Sequence, residues 1–85
     1  MINYERIADA IDREVDLAYS IGEPSATFLD AVQLLNIAYD DFYSENDFML
    51  TIRHIRNDHF RKLRGEEKSI LDNLLTRVLD IVSFG

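Results

Sequence analysis

Residues 66–82 read EEKSILDNLLTRVLDIV. The spacing of its apolar residues decides the fold class. Ile70, Leu71, Leu74, Leu75, Val78, Leu79, Ile81 and Val82 follow the 3.6-residue period, and no period-2 alternation competes with it. A helix gathers all of them on one side. That side is wide, so the helix is expected to face several neighbours at once. Glu66 and Glu67 stand at its start, where carboxylates complement the positive end of the helix dipole.

The same period recurs three times upstream. A third helix is expected to open near Asn46 or Asp47, to present Phe48, Ile52, Ile55, Phe60 and Leu63, and to close at Gly65. The second carries Phe28, Val32, Leu35, Tyr39 and Phe42; it opens at Ser25, or at Thr27, which with Asp30 resembles a capping box. The first carries Tyr4, Ile7, Ile11, Val15 and Ala18, with Ala8 and Tyr19 beside them, between an Asn3 N-cap and a stop at Gly22 and Pro24. Short connections favour antiparallel neighbours. The expectation is an all-α, antiparallel up-down four-helix bundle, with residues 1–85 as one domain. Leu34 and Ile37 fall opposite the main stripe of the second helix. They imply either burial on two flanks or a homodimer formed with the wide face of the fourth helix.

Composition narrows the function classes. The chain is 47% hydrophobic and 29% charged, as in globular proteins, and has no apolar run long enough for a membrane span. The opening MINYERIADAID carries acids in its first turns and is not expected to act as a secretory signal. Cysteine is absent, which removes disulfides, zinc–thiolate sites and thiol catalysis. A cytoplasmic location is the expectation. The net charge of −7 argues against a broad nucleic-acid grip, which needs a basic stripe. The charge is also divided. Residues 1–47 hold eleven acids and two bases, a net of −9, while residues 48–85 hold five acids and seven bases, a net of +2.

Two acidic features stand out in the first half. Residues 38–48, AYDDFYSENDF, hold four aromatics and four carboxylates with no base. Counted from Asp41, the third, sixth and twelfth positions of a calcium loop would be Tyr43, Asn46 and Ile52, so EF-hand ligand spacing fails. Glu45 and Asp47 suit the start of the next helix, but Asp40 and Asp41 lie where exposed carbonyls repel negative charge, a cost of about 0.3–1 kcal/mol each. A broken local rule with no visible compensation is a place to suspect function. Tyr43 is expected there as an amphipathic contact ring. On the first helix, Glu5, Asp9, Asp12 and Asp16 align as an acidic ridge at spacings of four, three and four residues.

Residues 53–65, RHIRNDHFRKLRG, hold five of the nine bases and both histidines. Arg53, Asn57, Arg61 and Arg64 are expected to point outward, and His59 to lie on the apolar side with its ring nitrogens hydrogen-bonded. His54 and His59 are five apart, so on one helix their side chains diverge, and no metal site is expected. Five residues separate Arg53 from His59. That spacing resembles the one by which HEPN-type ribonucleases set a phosphate-holding arginine against a histidine acid–base. The more typical arrangement of those enzymes, an asparagine directly after the arginine and a histidine a few residues later, is not reproduced, since after Arg56 and Asn57 the histidine comes too soon. With no glycine-rich phosphate loop or nucleophile elbow, the chain is expected to be no enzyme and to need no cofactor. The preferred expectation is a small acidic protein-binding module, of the inhibitor or immunity kind. It would occlude a basic partner, such as a nuclease or nucleic-acid-binding protein, through Asp40, Asp41, Tyr43, Glu45 and Asp47, with the first-helix ridge as an extension. A metal-independent ribonuclease using Arg53 and His59 is the remote alternative.

Overall fold

Asn3, Ser25 and Ser44 begin three helices in the same way. Each side-chain oxygen accepts the backbone N–H three residues on, from Arg6, Phe28 and Asp47, at 3.2 Å in every case. The computed structural model describes residues 1–84, in which α1 spans Tyr4–Ser20, α2 Ala26–Asp40, α3 Glu45–Asn57, α4 His59–Lys62 and α5 Gly65–Phe84. The second helix therefore opens at Ser25, not Thr27, and the third at Ser44, ahead of Asn46 and Asp47. Ser25 is held from a distance as well. The Glu67 carboxylate at the start of α5 accepts its N–H at 2.6 Å and its hydroxyl at 2.8 Å. The hydroxyl proton is thereby directed away, and the oxygen lone pairs face the Phe28 N–H.

The chain is all-helical, and four long helices pack against one another. α1 lies on α2 and α5, and α3 lies on α2 and α5, with the short α4 tucked against α2 and α5. The core they enclose is built on Ile7, Phe28, Leu35, Phe48, Ile55, Leu71, Leu74, Leu75 and Val78, all fully buried. Each such side chain contributes about 1.5–3 kcal/mol by leaving water. The wide face of α5 is consumed here, since Ile70, Leu71, Leu74, Leu75, Val78, Ile81 and Val82 are all buried and Leu79 packs partly against them. Leu34 also packs against the core, while Ile37 stays half-exposed. None of the helices among the described residues is long and apolar enough to cross a membrane.

Three local expectations need correction. The third helix does not run unbroken to Gly65. Asp58, at φ −117° and ψ −78°, ends α3 and turns the chain into α4. Asn57 and Asp58 are poor helix formers that compete with the backbone for hydrogen bonds. Gly65 then opens α5 with a left-handed φ of +62°, reversing the chain after an extended Leu63. Finally, the buried stripe of α1 is Ile7, Ala10, Ile11, Glu14 and Ala18, with Val15 only half-buried and Tyr19 exposed. Glu14 is 5% exposed, and its Oε2 has no hydrogen-bond partner.

Candidate functional site: the corner between α2 and α3

The end of α2 is closed by a left-handed cap. The Tyr43 N–H donates to the Ala38 carbonyl at 3.0 Å, and the Phe42 N–H to the Tyr39 carbonyl at 3.2 Å. This is the hydrogen-bond pattern of a Schellman motif, which requires a left-handed residue just past the cap and normally takes glycine there. Here that residue is Phe42, at φ +53°, the one non-glycine residue with positive φ among those described. For a bulky side chain the conformation costs about 1–2 kcal/mol. The left-handed turn also breaks the helical angular increment. Phe42 therefore does not extend the core stripe of α2, as its spacing implied, but stands 72% exposed.

The layer beneath it is aromatic and firm. Tyr4 of α1 donates its hydroxyl to the Tyr43 carbonyl at 2.7 Å. Its ring meets Phe42 edge-on at 5.3 Å and lies 6.3 Å from Phe48. Tyr43 in turn leans on Phe48 at 6.1 Å. Tyr43, expected as the contact ring, is thus half-buried and supports the corner from within, and Phe42 is the ring left outside. The Tyr4 edge contact returns about 0.5–1.5 kcal/mol, offsetting part of the backbone strain. Nothing comparable compensates the neighbouring aspartates. Asp40 and Asp41 are exposed, and no basic residue occupies the last turn of α2.

The other acids of the corner and the first-helix ridge are also unpaired. Among the described residues, Asp40, Asp41, Glu45, Asp47 and the ridge of Glu5, Asp9, Asp12 and Asp16 are all exposed, and no lysine, arginine or histidine forms an ion pair with any of them. Glu45 and Asp47 sit in the first turn of α3, where the dipole favours them. Glu45 also borders a surface recess with Met1, Ile2, Val82 and Phe84, two of which, Met1 and Phe84, are exposed. Asp9 shares a groove with Arg6, Arg13 and Arg77, which reduces its outward field. The corner therefore combines carboxylates with exposed apolar groups, whereas the ridge carries charge alone.

The basic half behaves differently. Arg56 pairs with Asp72 at 3.0 Å and donates to the Thr76 hydroxyl at 3.3 Å. Arg56 and Lys68 both lie over the Phe60 ring, at 5.3 and 4.9 Å from its centroid. Lys62 binds Asp58 at 2.9 Å, and this hydrogen bond, above all, holds the Asp58 carboxyl below the usual aspartate range. The α3–α4 break also overturns the expected divergence of the histidines, whose ring centroids lie 5.8 Å apart. His59 is largely buried, but its Nδ1 has no hydrogen-bond partner, contrary to the satisfied ring expected. Arg53, Asn57, Arg61 and Arg64 are exposed, as anticipated.

Comparison with protein-family models, curated proteins and solved structures finds no match for the chain.

Proposed function

We propose that the protein is a binding module that docks onto a basic protein through the α2–α3 corner, acting as an inhibitor or immunity-type protein. The partner class is a nuclease or other nucleic-acid-handling protein, whose cationic groove the corner would cover. One observation carries the reading: Asp40, Asp41 and Phe42 are three successive residues, each locally unfavourable, and the two aspartates lack a neutralising partner. A bound cationic surface removes the electrostatic penalty and covers the exposed ring. In this arrangement Asp40, Asp41, Glu45 and Asp47 steer encounter and set specificity. Phe42 supplies the desolvated anchor, since aromatic rings seated centrally dominate interface energy. Tyr43 and Tyr4 hold that anchor in place. The ridge of Glu5, Asp9, Asp12 and Asp16 extends the negative field.

The test uses the wild-type protein and an Asp40→Lys/Asp41→Lys variant as baits in extract of the organism that encodes them, at low and high salt. A protein with a basic surface, retained by wild type at low salt and lost from the variant, is then purified and titrated. The double reversal is expected to weaken its affinity by about 100-fold or more, and Phe42→Ser by about tenfold. Equal affinity for the double variant removes the corner as the binding site.

A further inference from the structure

The α3–α4 elbow holds a second constellation, independent of the acidic corner. His54, Asp58 and His59 each bring one donor atom to the same place, and these atoms all lie within 4.8 Å of one another. We propose that they form a site for a divalent transition-metal ion of the zinc type, with two imidazoles and one carboxylate as ligands and water completing the shell.

The argument begins with the break in the helix. On a continuous helix, residues five apart project about 140° from each other. Asp58 departs from helical geometry, and the two rings become neighbours. The second observation is the His59 ring. Its Nδ1 is buried and has no hydrogen-bond partner, and Asp58 Oδ2 lies 3.8 Å away. A buried polar nitrogen is costly to leave unsatisfied. A metal ion between it and the carboxylate would satisfy both atoms. Donor atoms around tetrahedral zinc, with bonds of about 2.0–2.2 Å, stand roughly 3.3–3.5 Å apart. The His59–Asp58 pair is already close to that separation, and His54, which is exposed, can rotate to close the rest.

The outer contacts suit the role. Lys62 holds Asp58 Oδ1 at 2.9 Å, leaving Oδ2 turned toward His59. Hydrogen bonds to a ligating carboxylate commonly fix its orientation in this way. The donor set also selects the ion. Imidazole with carboxylate suits zinc, copper, nickel or cobalt, whereas calcium and magnesium require oxygen-only shells. Because the ligands belong to both α3 and α4, a bound ion would brace the elbow, and the folded chain would gain stability as metal is added.

Zinc chloride titrated calorimetrically into the full chain, in a non-chelating buffer, is expected to saturate at one equivalent. Cobalt chloride should give the visible absorption of a tetrahedral centre, and magnesium chloride should give no heat. His54→Ala, Asp58→Ala and His59→Gln should each weaken zinc binding by about tenfold or more. His54 is exposed, so its variant reports on ligation even if replacing the buried His59 disturbs the fold; a thermal melt of each metal-free variant identifies that case. Added zinc should raise the melting temperature of the wild type and leave that of His54→Ala almost unmoved. Absence of a saturable zinc site in the wild type overturns the proposal. So does zinc affinity in His54→Ala and a folded His59→Gln equal to that of the wild type.

Discussion

Two corners of the molecule reverse the chain through a left-handed residue, and they are built on opposite terms. Between α4 and α5 that residue is Gly65, at φ +62°, and two acids near it have partners: Asp58 binds Lys62, and Glu67 accepts from Ser25. Between α2 and α3 it is Phe42, at φ +53°, preceded by Asp40 and Asp41 without an ion-pair partner. The same chain thus satisfies the rules of turn chemistry at one place and disregards them at another. At about 0.3–1 kcal/mol per aspartate and about 1–2 kcal/mol for the backbone, the second corner forgoes a noticeable part of the roughly 5–15 kcal/mol that stabilises a small domain. Selection for stability alone would place glycine and lysine there. In the proposed function, contact with another molecule accounts for the difference.

The contrast can be sharpened or broken by mutation. The largest effect is expected beneath the corner, where Phe48→Ala should lower stability by about 3–5 kcal/mol in urea unfolding, because the ring is fully buried under Tyr4 and Tyr43. Gly65→Ala comes next, with a loss of about 1–2 kcal/mol. A Cβ at Gly65 meets nothing within 4 Å, so this loss measures backbone strain alone. The double reversal Asp40→Lys/Asp41→Lys should move the other way and raise stability by about 1 kcal/mol, since cations favour a helix C-terminus. A variant that is more stable yet no longer binds would separate the two demands on this segment; a destabilised one would mean that the aspartates serve the fold. Phe42→Gly is the smallest, between no change and a gain of about 1 kcal/mol, as relief of the left-handed strain is set against loss of the Tyr4 edge contact.

Periodicity carried the architecture because burial in helices depends on spacing, and four apolar stripes remain readable without coordinates. The misreadings occur where the chain leaves regular geometry. Phe42 has the correct spacing for the core stripe of α2, but the helix has ended by then, and no local signal announces a left-handed phenylalanine. Glu14 shows the opposite bias. The positions 7, 11, 14 and 18 keep a helical stripe, but position 14 carries a charge while the apolar Val15 stands beside it. The Asn57–Asp58 pair, two weak helix formers in succession, was the available sign that the third helix would bend. With the helix taken as continuous, His54 and His59 diverge; with it broken, their rings stand side by side. Of the candidate site, the unpaired aspartates could be read from charge and dipole alone, whereas the exposure of Phe42 beside a half-buried Tyr43 could not.

The bond between Ser25 and Glu67 spans 42 positions. It makes the start of α2 depend on a residue that leaves the ribosome long afterwards. While α5 is still inside the exit tunnel, the Ser25 hydroxyl has no carboxylate to orient it. A nascent amino-terminal half would therefore remain frayed and accessible to chaperones or proteases. The molecule should close in one late cooperative step, and a fragment ending before α5 should show little protected structure in hydrogen exchange.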